Sequence, residues 1–154
     1  MKTRSLMTAA LLLLAAAAPP PRSVLDLKTA PGEAGRQTYA QMAISTFASV
    51  IAEAPICNVR SHDWANHLEF YVMDKLEGPR PGIAEGNADP ADYARWLGEM
   101  RALEGRADLK VAADPGGTCA RLRRNPNLAL GDWFEARMQR QEHSKNPWGG
   151  AGGH

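Results

Sequence analysis

Apolar residues recur at steps of three and four positions in the first third of this 154-residue chain. Such spacing places side chains on one face of an α-helix. The residues that form this face are Tyr39, Ala43, Phe47, Val50, Ile51 and Ala54. Pro55 is expected to end the helix, because proline lacks an amide donor and clashes with the preceding turn. The pattern predicts a helix from about Glu33 to Ala54.

Two further helices are marked by capping residues. Ser61 or Asp63 can cap a helix that extends to Glu77. Asp89 followed by Pro90 is a typical helix start, and Gly105 is expected to close that helix.

The pattern is weaker in the last third of the chain. The pattern between Arg106 and Ala113 is ambiguous, and the alternation of Leu109 and Val111 is compatible with a short extended piece. Thr118 can cap a short helix that holds Cys119. A last helix is predicted to start at Asp132, with Glu135 as its capping-box partner. These elements together predict an all-α fold, an irregular or orthogonal bundle of four to five helices.

The first residues have the pattern of a secretory signal peptide. Lys2 and Arg4 precede an apolar run that ends in small residues, so cleavage is predicted after Ala17, leaving Ala18 as the new N-terminus. The run is shorter than the roughly 20 residues of a typical membrane span. We therefore predict a signal peptide at residues 1–17 and no stable membrane insertion. The periplasm is the first predicted location and secretion the second.

The chain contains two cysteines, Cys57 and Cys119. An even number of cysteines in an exported protein favours a disulfide. The alternatives are a pair of metal ligands or a redox pair, but the chain lacks a C-x-x-C sequence. The Cys57–Cys119 disulfide is the prediction.

Residues outside the predicted helices divide the chain further. Three consecutive prolines at 19–21 should adopt an extended conformation, within a flexible lead at residues 18–35. The helical domain is predicted at 36–143 and a flexible glycine-rich tail at 144–154.

The formal net charge of +1 is too balanced for a general nucleic-acid binder.

The sequence lacks the common motifs of catalytic sites, which gives little support to an enzyme. The sequence lacks G-x-S-x-G, H-E-x-x-H and P-loop patterns. A cell-wall-directed hydrolase that uses Glu53 or Glu69 as its acid is one alternative. Metal binding is a second alternative, although His62 and His67, five residues apart, diverge around a helix. The main prediction names no catalytic residue, cofactor or metal ligand.

Arginine and tryptophan residues near the C-terminus are the predicted partner-binding site. They are Arg121, Arg123, Arg124, Arg137, Arg140 and Trp148. Arginine and tryptophan are enriched among residues that dominate binding at interfaces. Trp64, Trp96 and Trp133 lie within helical stripes instead, and are predicted to be core or groove residues. The sequence predicts a non-enzymatic exported interaction or accessory protein, such as an envelope stress or assembly factor, with a protein partner in the cell envelope.

Overall fold

Helices and connecting turns make up the structure, a computed structural model that describes residues 19–27, 32–78 and 89–145, with side chains to residue 141. The elements are a 3-10 turn (Val24–Asp26), α1 (Glu33–Ile56), α2 (His62–Glu77), α3 (Pro90–Glu104), α4 (Ala107–Ala113), α5 (Pro115–Leu122) and α6 (Asn127–Lys145). The predicted all-α bundle is confirmed. None of the helices described combines the length and apolar character needed to cross a bilayer. The predicted signal peptide and residues 79–88 lie outside the described residues.

Helix α1 is the centre of the bundle, with α2, α3, α4 and α5 packed against it, while α6 packs mainly on α2. The buried face of α1 includes Tyr39, Ile44, Phe47 and Val50. This is the face that the spacing predicts, extended by Ile44. Burial of such side chains stabilises the fold by roughly 1.5–3 kcal/mol each.

The end of α1 differs from the prediction, because the helix continues through Pro55 to Ile56. Proline removes only one hydrogen bond in this last turn, so the helix tolerates it. The chain reverses at Asn58, whose φ of 51° lies in the left-handed region. Asparagine is one of the few residues that adopt this conformation readily. Val59 then donates its amide to the carbonyl of Ala54 over 2.9 Å.

The stretch between Arg106 and Ala113, ambiguous in sequence, is helical and not extended, since α4 occupies it. Ala107 and Val111, four residues apart, are buried, whereas Leu109 is 74% exposed. The buried residues are thus spaced as on one face of a helix. Leu109 and Val111, two residues apart, lie on different faces.

Two predicted helix starts are also wrong. Helix α5 begins at Pro115 with Asp114 as its cap, and Thr118 is buried within it. Helix α6 begins at Asn127, so Asp132 lies inside the helix. Asp132 accepts hydrogen bonds from Arg60 Nε over 2.6 Å and Nη2 over 2.7 Å, and from Trp64 Nε1 over 2.9 Å. Asp132 thus joins α6 to the start of α2 instead of capping a helix.

The Cys57–Cys119 disulfide is confirmed, with 5.5 Å between the two Cα atoms. Cys57 caps the C-terminus of α1, and Cys119 lies in α5. The bond therefore attaches α5 to the end of the central helix.

The predicted lead at 18–35 is described in part. Residues 24–26 form the 3-10 turn, and the Tyr39 hydroxyl donates to the carbonyl of Leu25 over 2.9 Å. Val24 and Leu25 pack against the core. These contacts hold the chain near residue 25 against α1.

Candidate functional site

An open groove of about 430 Å³ lies between α2 and α6. Four aromatic side chains and two cations line it, namely Phe70, Tyr71, Lys75, Trp133, Phe134 and Arg137. We call this site the aromatic groove. It combines apolar area with a few charged groups, as binding sites for small molecules and peptides do.

Helical geometry accounts for the lining. Tyr71 and Lys75 are four residues apart on α2, and Trp133 and Arg137 are four apart on α6. Residues at this spacing lie next to each other on a helix surface. Each helix therefore presents an aromatic ring with a cation one turn later.

The rings form a continuous cluster. The Tyr71 and Phe134 centroids are 4.7 Å apart, Tyr71 and Trp133 are 5.9 Å apart, and Phe70 and Phe134 are 6.5 Å apart. Phe134 is buried, whereas Phe70 is 62% exposed. A large exposed ring beside a packed aromatic cluster leaves apolar surface available to a ligand.

Cations lie against two of these rings. Lys75 Nζ is 5.5 Å from the Tyr71 ring centroid, and Arg137 Cζ is 5.7 Å from that of Trp133. Burial, followed by the charge of Asp26, raises the pKa of Tyr71 above its ordinary value, so its phenol stays protonated at neutral pH. The aromatic groove therefore offers ring faces together with positive charge.

The structure places the arginines of the predicted partner-binding site in different surroundings. Arg121 lies 3.6 Å from the Asp114 carboxylate, and Arg124 donates to the Ala120 carbonyl over 3.2 Å. Arg123 and Arg140 are exposed. Arg137 is the predicted residue that lines the aromatic groove. Arg121, Arg123 and Arg124 precede the start of α6 at Asn127. Arg137 lies roughly 15 Å further along this helix, because each helical residue adds a rise of about 1.5 Å. Trp148 lies outside the described residues.

Glu53, one of the two predicted acids, lies in the interior of the bundle. It is 5% exposed and forms an ion pair with Lys110 of α4. A second cavity of about 240 Å³ adjoins this pair and is lined also by Ser49 and Arg106. The pair links α1 to α4.

Glu69, the other predicted acid, lies at the α2–α3 contact. It pairs with Arg101 over 3.5 Å. Glu104 lies close enough for the two carboxylates to interact electrostatically. Sequence reasoning missed Glu104, because its environment depends on how α2 and α3 pack. The hydrolase alternative stays a prediction.

The metal alternative loses its thiol ligands, because Cys57 and Cys119 are bonded to each other. His62 is exposed and His67 is half-buried. Across the three described segments, no group of three or more His, Cys, Asp or Glu side chains is placed to hold a metal ion.

Comparison with known proteins returns no match for this chain among family models, curated sequences or solved structures.

The aromatic residues of the groove are adjacent in sequence, and this pattern could have predicted the site. Phe70 and Tyr71 are adjacent on α2, as are Trp133 and Phe134 on α6. Adjacent residues diverge by about 100° around a helix, so both rings of a pair cannot point into the centre of one core contact. Adjacent aromatics on two helices therefore indicate a cluster at the edge of the core.

Glu104 gives the fold a pH dependence that can be tested. Burial, followed by the charge of Glu69, raises the pKa of Glu104 from 4.5 to about 7, against the opposing effect of Arg101. The folded chain binds this proton more tightly than the unfolded chain does. Stability from this group is therefore full below pH 4.5 and declines as the pH rises towards 7.

Glu104→Gln should remove this decline and leave the variant more stable than the wild type at about pH 8. Urea unfolding at about pH 5 and about pH 8 measures the difference. Glu99→Gln, on the same helix, is the matched control and should keep the wild-type slope. An unchanged slope in Glu104→Gln would contradict the assignment.

Proposed function

We propose that this chain is an exported, non-enzymatic accessory protein whose aromatic groove holds an extended segment of a partner protein in the cell envelope. The periplasm is the proposed compartment, with secretion as the alternative. An assembly or envelope-stress role fits such a protein. The single observation that carries the proposal is the cluster of four rings at an open groove, with Phe70 62% exposed.

The composition of the aromatic groove favours a peptide ligand. Aromatic rings supply large contact areas at low entropic cost, and the exposed Phe70 ring extends the apolar surface of the cluster to solvent. Lys75 and Arg137 add positive charge beside the rings, which favours a segment that carries a carboxylate. The rings and cations are all held on helices α2 and α6, so the backbone that carries them is already ordered before binding.

Export is supported by independent features. The sequence begins with a signal-peptide pattern, and the folded domain contains a disulfide. Disulfides persist in oxidising compartments and are rare in the cytosol.

Photo-cross-linking in intact cell envelopes tests the proposal. Gln141, which lines the aromatic groove, is replaced by benzoylphenylalanine, and adducts are mapped by mass spectrometry. We expect one continuous stretch of a partner protein to be linked, and Phe70→Ser should reduce the yield at least tenfold through loss of about 1.4 kcal/mol or more.

Leu109 supplies the matched control, since it is 74% exposed on α4 and does not line the groove. Leu109→Ser should leave the cross-linking yield unchanged. The proposal fails if Phe70→Ser and Leu109→Ser give equal yields, or if position 141 links only to scattered sites on many proteins.

A further inference from the structure

Pro20 lines the aromatic groove together with the four rings. It is the middle residue of the Pro19–Pro21 run, and it lies four positions before the 3-10 turn (Val24–Asp26). The turn is held to the core by Val24 and Leu25. The proline run is therefore anchored on one side by contacts outside the groove.

A proline run suits an aromatic groove for physical reasons. Consecutive prolines fix φ near −65° and populate the extended polyproline II helix before binding, so little conformational entropy is lost. Proline has no amide hydrogen, so its backbone leaves no buried donor without a partner when it lies on apolar rings. Grooves lined by aromatic residues are a recurring means of recognising proline-rich segments.

The charges at the groove indicate that the chain's own proline run is not its best ligand. Lys75 and Arg137 lie against the rings, with Asp74 as the carboxylate in the lining. The residue after the run is Arg22, so the run is followed by a cation and not by an acidic residue. A segment with proline followed by an acidic residue would complement the groove better.

We propose that the aromatic groove recognises proline-rich extended segments, and that the Pro19–Pro21 run, whose exposed Pro20 forms part of the lining, competes for the groove with a more acidic proline-rich segment. This inference rests on the proposed function and names the class of its ligand. When the run covers the rings, the apparent affinity for another segment equals the intrinsic affinity multiplied by the fraction of chains in which the groove is open.

Fluorescence anisotropy with a labelled synthetic peptide, a proline run followed by glutamates, measures binding to the chain recovered after export. Replacing Pro19, Pro20 and Pro21 together with alanine should increase the affinity for this peptide about tenfold, if the groove is open in roughly one chain in ten. Phe70→Ser should abolish the increase. Leu27→Ala, an exposed position in the same segment, should behave as the wild type.

Two altered peptides test the chemistry. Alanine in place of the prolines should abolish binding, and lysine in place of the glutamates should weaken it at least tenfold at low salt. Equal affinity for the proline and alanine peptides would overturn the inference. So would equal affinity of the wild type and the triple-alanine variant, provided both give the same circular dichroism spectrum.

The envelope cross-linking experiment separates this inference from the proposed function. If position 141 still links to a partner through Phe70 but no proline peptide binds, the ligand class is wrong and the proposed function stands. If Phe70-dependent linking is also absent, both are wrong.

Discussion

Replacing Cys57 with serine should lower the free energy of unfolding by about 4 kcal/mol, the value that chain entropy gives for closing a loop of this length. The two cysteines are 62 residues apart, so the disulfide restricts a large part of the unfolded chain. Small domains are typically stable by about 5–15 kcal/mol, so the loss is a large share of the total. Denaturant unfolding of the oxidised protein and of Cys57→Ser measures it.

Cys119→Ser and the double serine variant are the matched controls. All three variants should lose nearly the same stability, because each removes the same bond. Wild-type protein in reducing agent should approach their stability. A loss below about 1 kcal/mol, or two free thiols in protein purified without reducing agent, would contradict a structural role for the bond.

Gly131→Ala should destabilise the fold by about 2–3 kcal/mol, because it overpacks the contact between α6 and α2. A Cβ atom at position 131 would lie 2.2 Å from Cζ2 of Trp64 and 2.6 Å from Cε2. The indole has little freedom to move, because Trp64 is 1% exposed and its Nε1 donates to Asp132. Separation of α2 from α6 would also distort the aromatic groove.

Gly98→Ala is the control for helix propensity. Gly98 also lies within a helix, α3, but a Cβ there would have no atom within 4 Å. Alanine should therefore raise stability by roughly 0.5–1 kcal/mol. Opposite signs for the two variants in urea unfolding are the expected result. Stabilisation by both would show that α6 does not approach Trp64 this closely.

These two glycines also show why the effect of a Gly→Ala substitution on stability cannot be predicted from the sequence. Gly98 and Gly131 both lie within helices, and helix propensity predicts the same effect of alanine at each. Only the packing of α6 on Trp64 distinguishes them.

The candidate site was predictable only in its components. Phe70, Tyr71, Trp133 and Phe134 could be assigned to helical stripes, and Arg137 to an interaction surface. Their assembly into one groove depends on the contact between α2 and α6, two helices separated by more than 45 positions in the chain. Arg121 and Arg124 have the same residue type as Arg137, but their neighbours are Asp114 and the Ala120 carbonyl.

Features that depend on neighbouring residues or on composition were predictable from the order of the amino acids. Helical periodicity and local capping specify α2 and α3, with Ser61 and Asp89 accepting backbone amides as predicted. The even cysteine count predicts the disulfide. These inferences succeed because the interactions act within a few residues, or because the chain has only two cysteines.

Tertiary structure decided the rest, since burial depends on contacts between distant segments. Asp132 has the residue type of a helix cap, but α6 begins earlier, where Asn125 accepts the Asn127 amide over 2.9 Å, and Asp132 accepts from Arg60 and Trp64 instead. Leu109 is apolar but exposed, and Val111 two residues later is buried. Free energy from packing α1, α2 and α6 together outweighs the tenths of a kcal/mol that separate local alternatives, so the aromatic groove follows the packing.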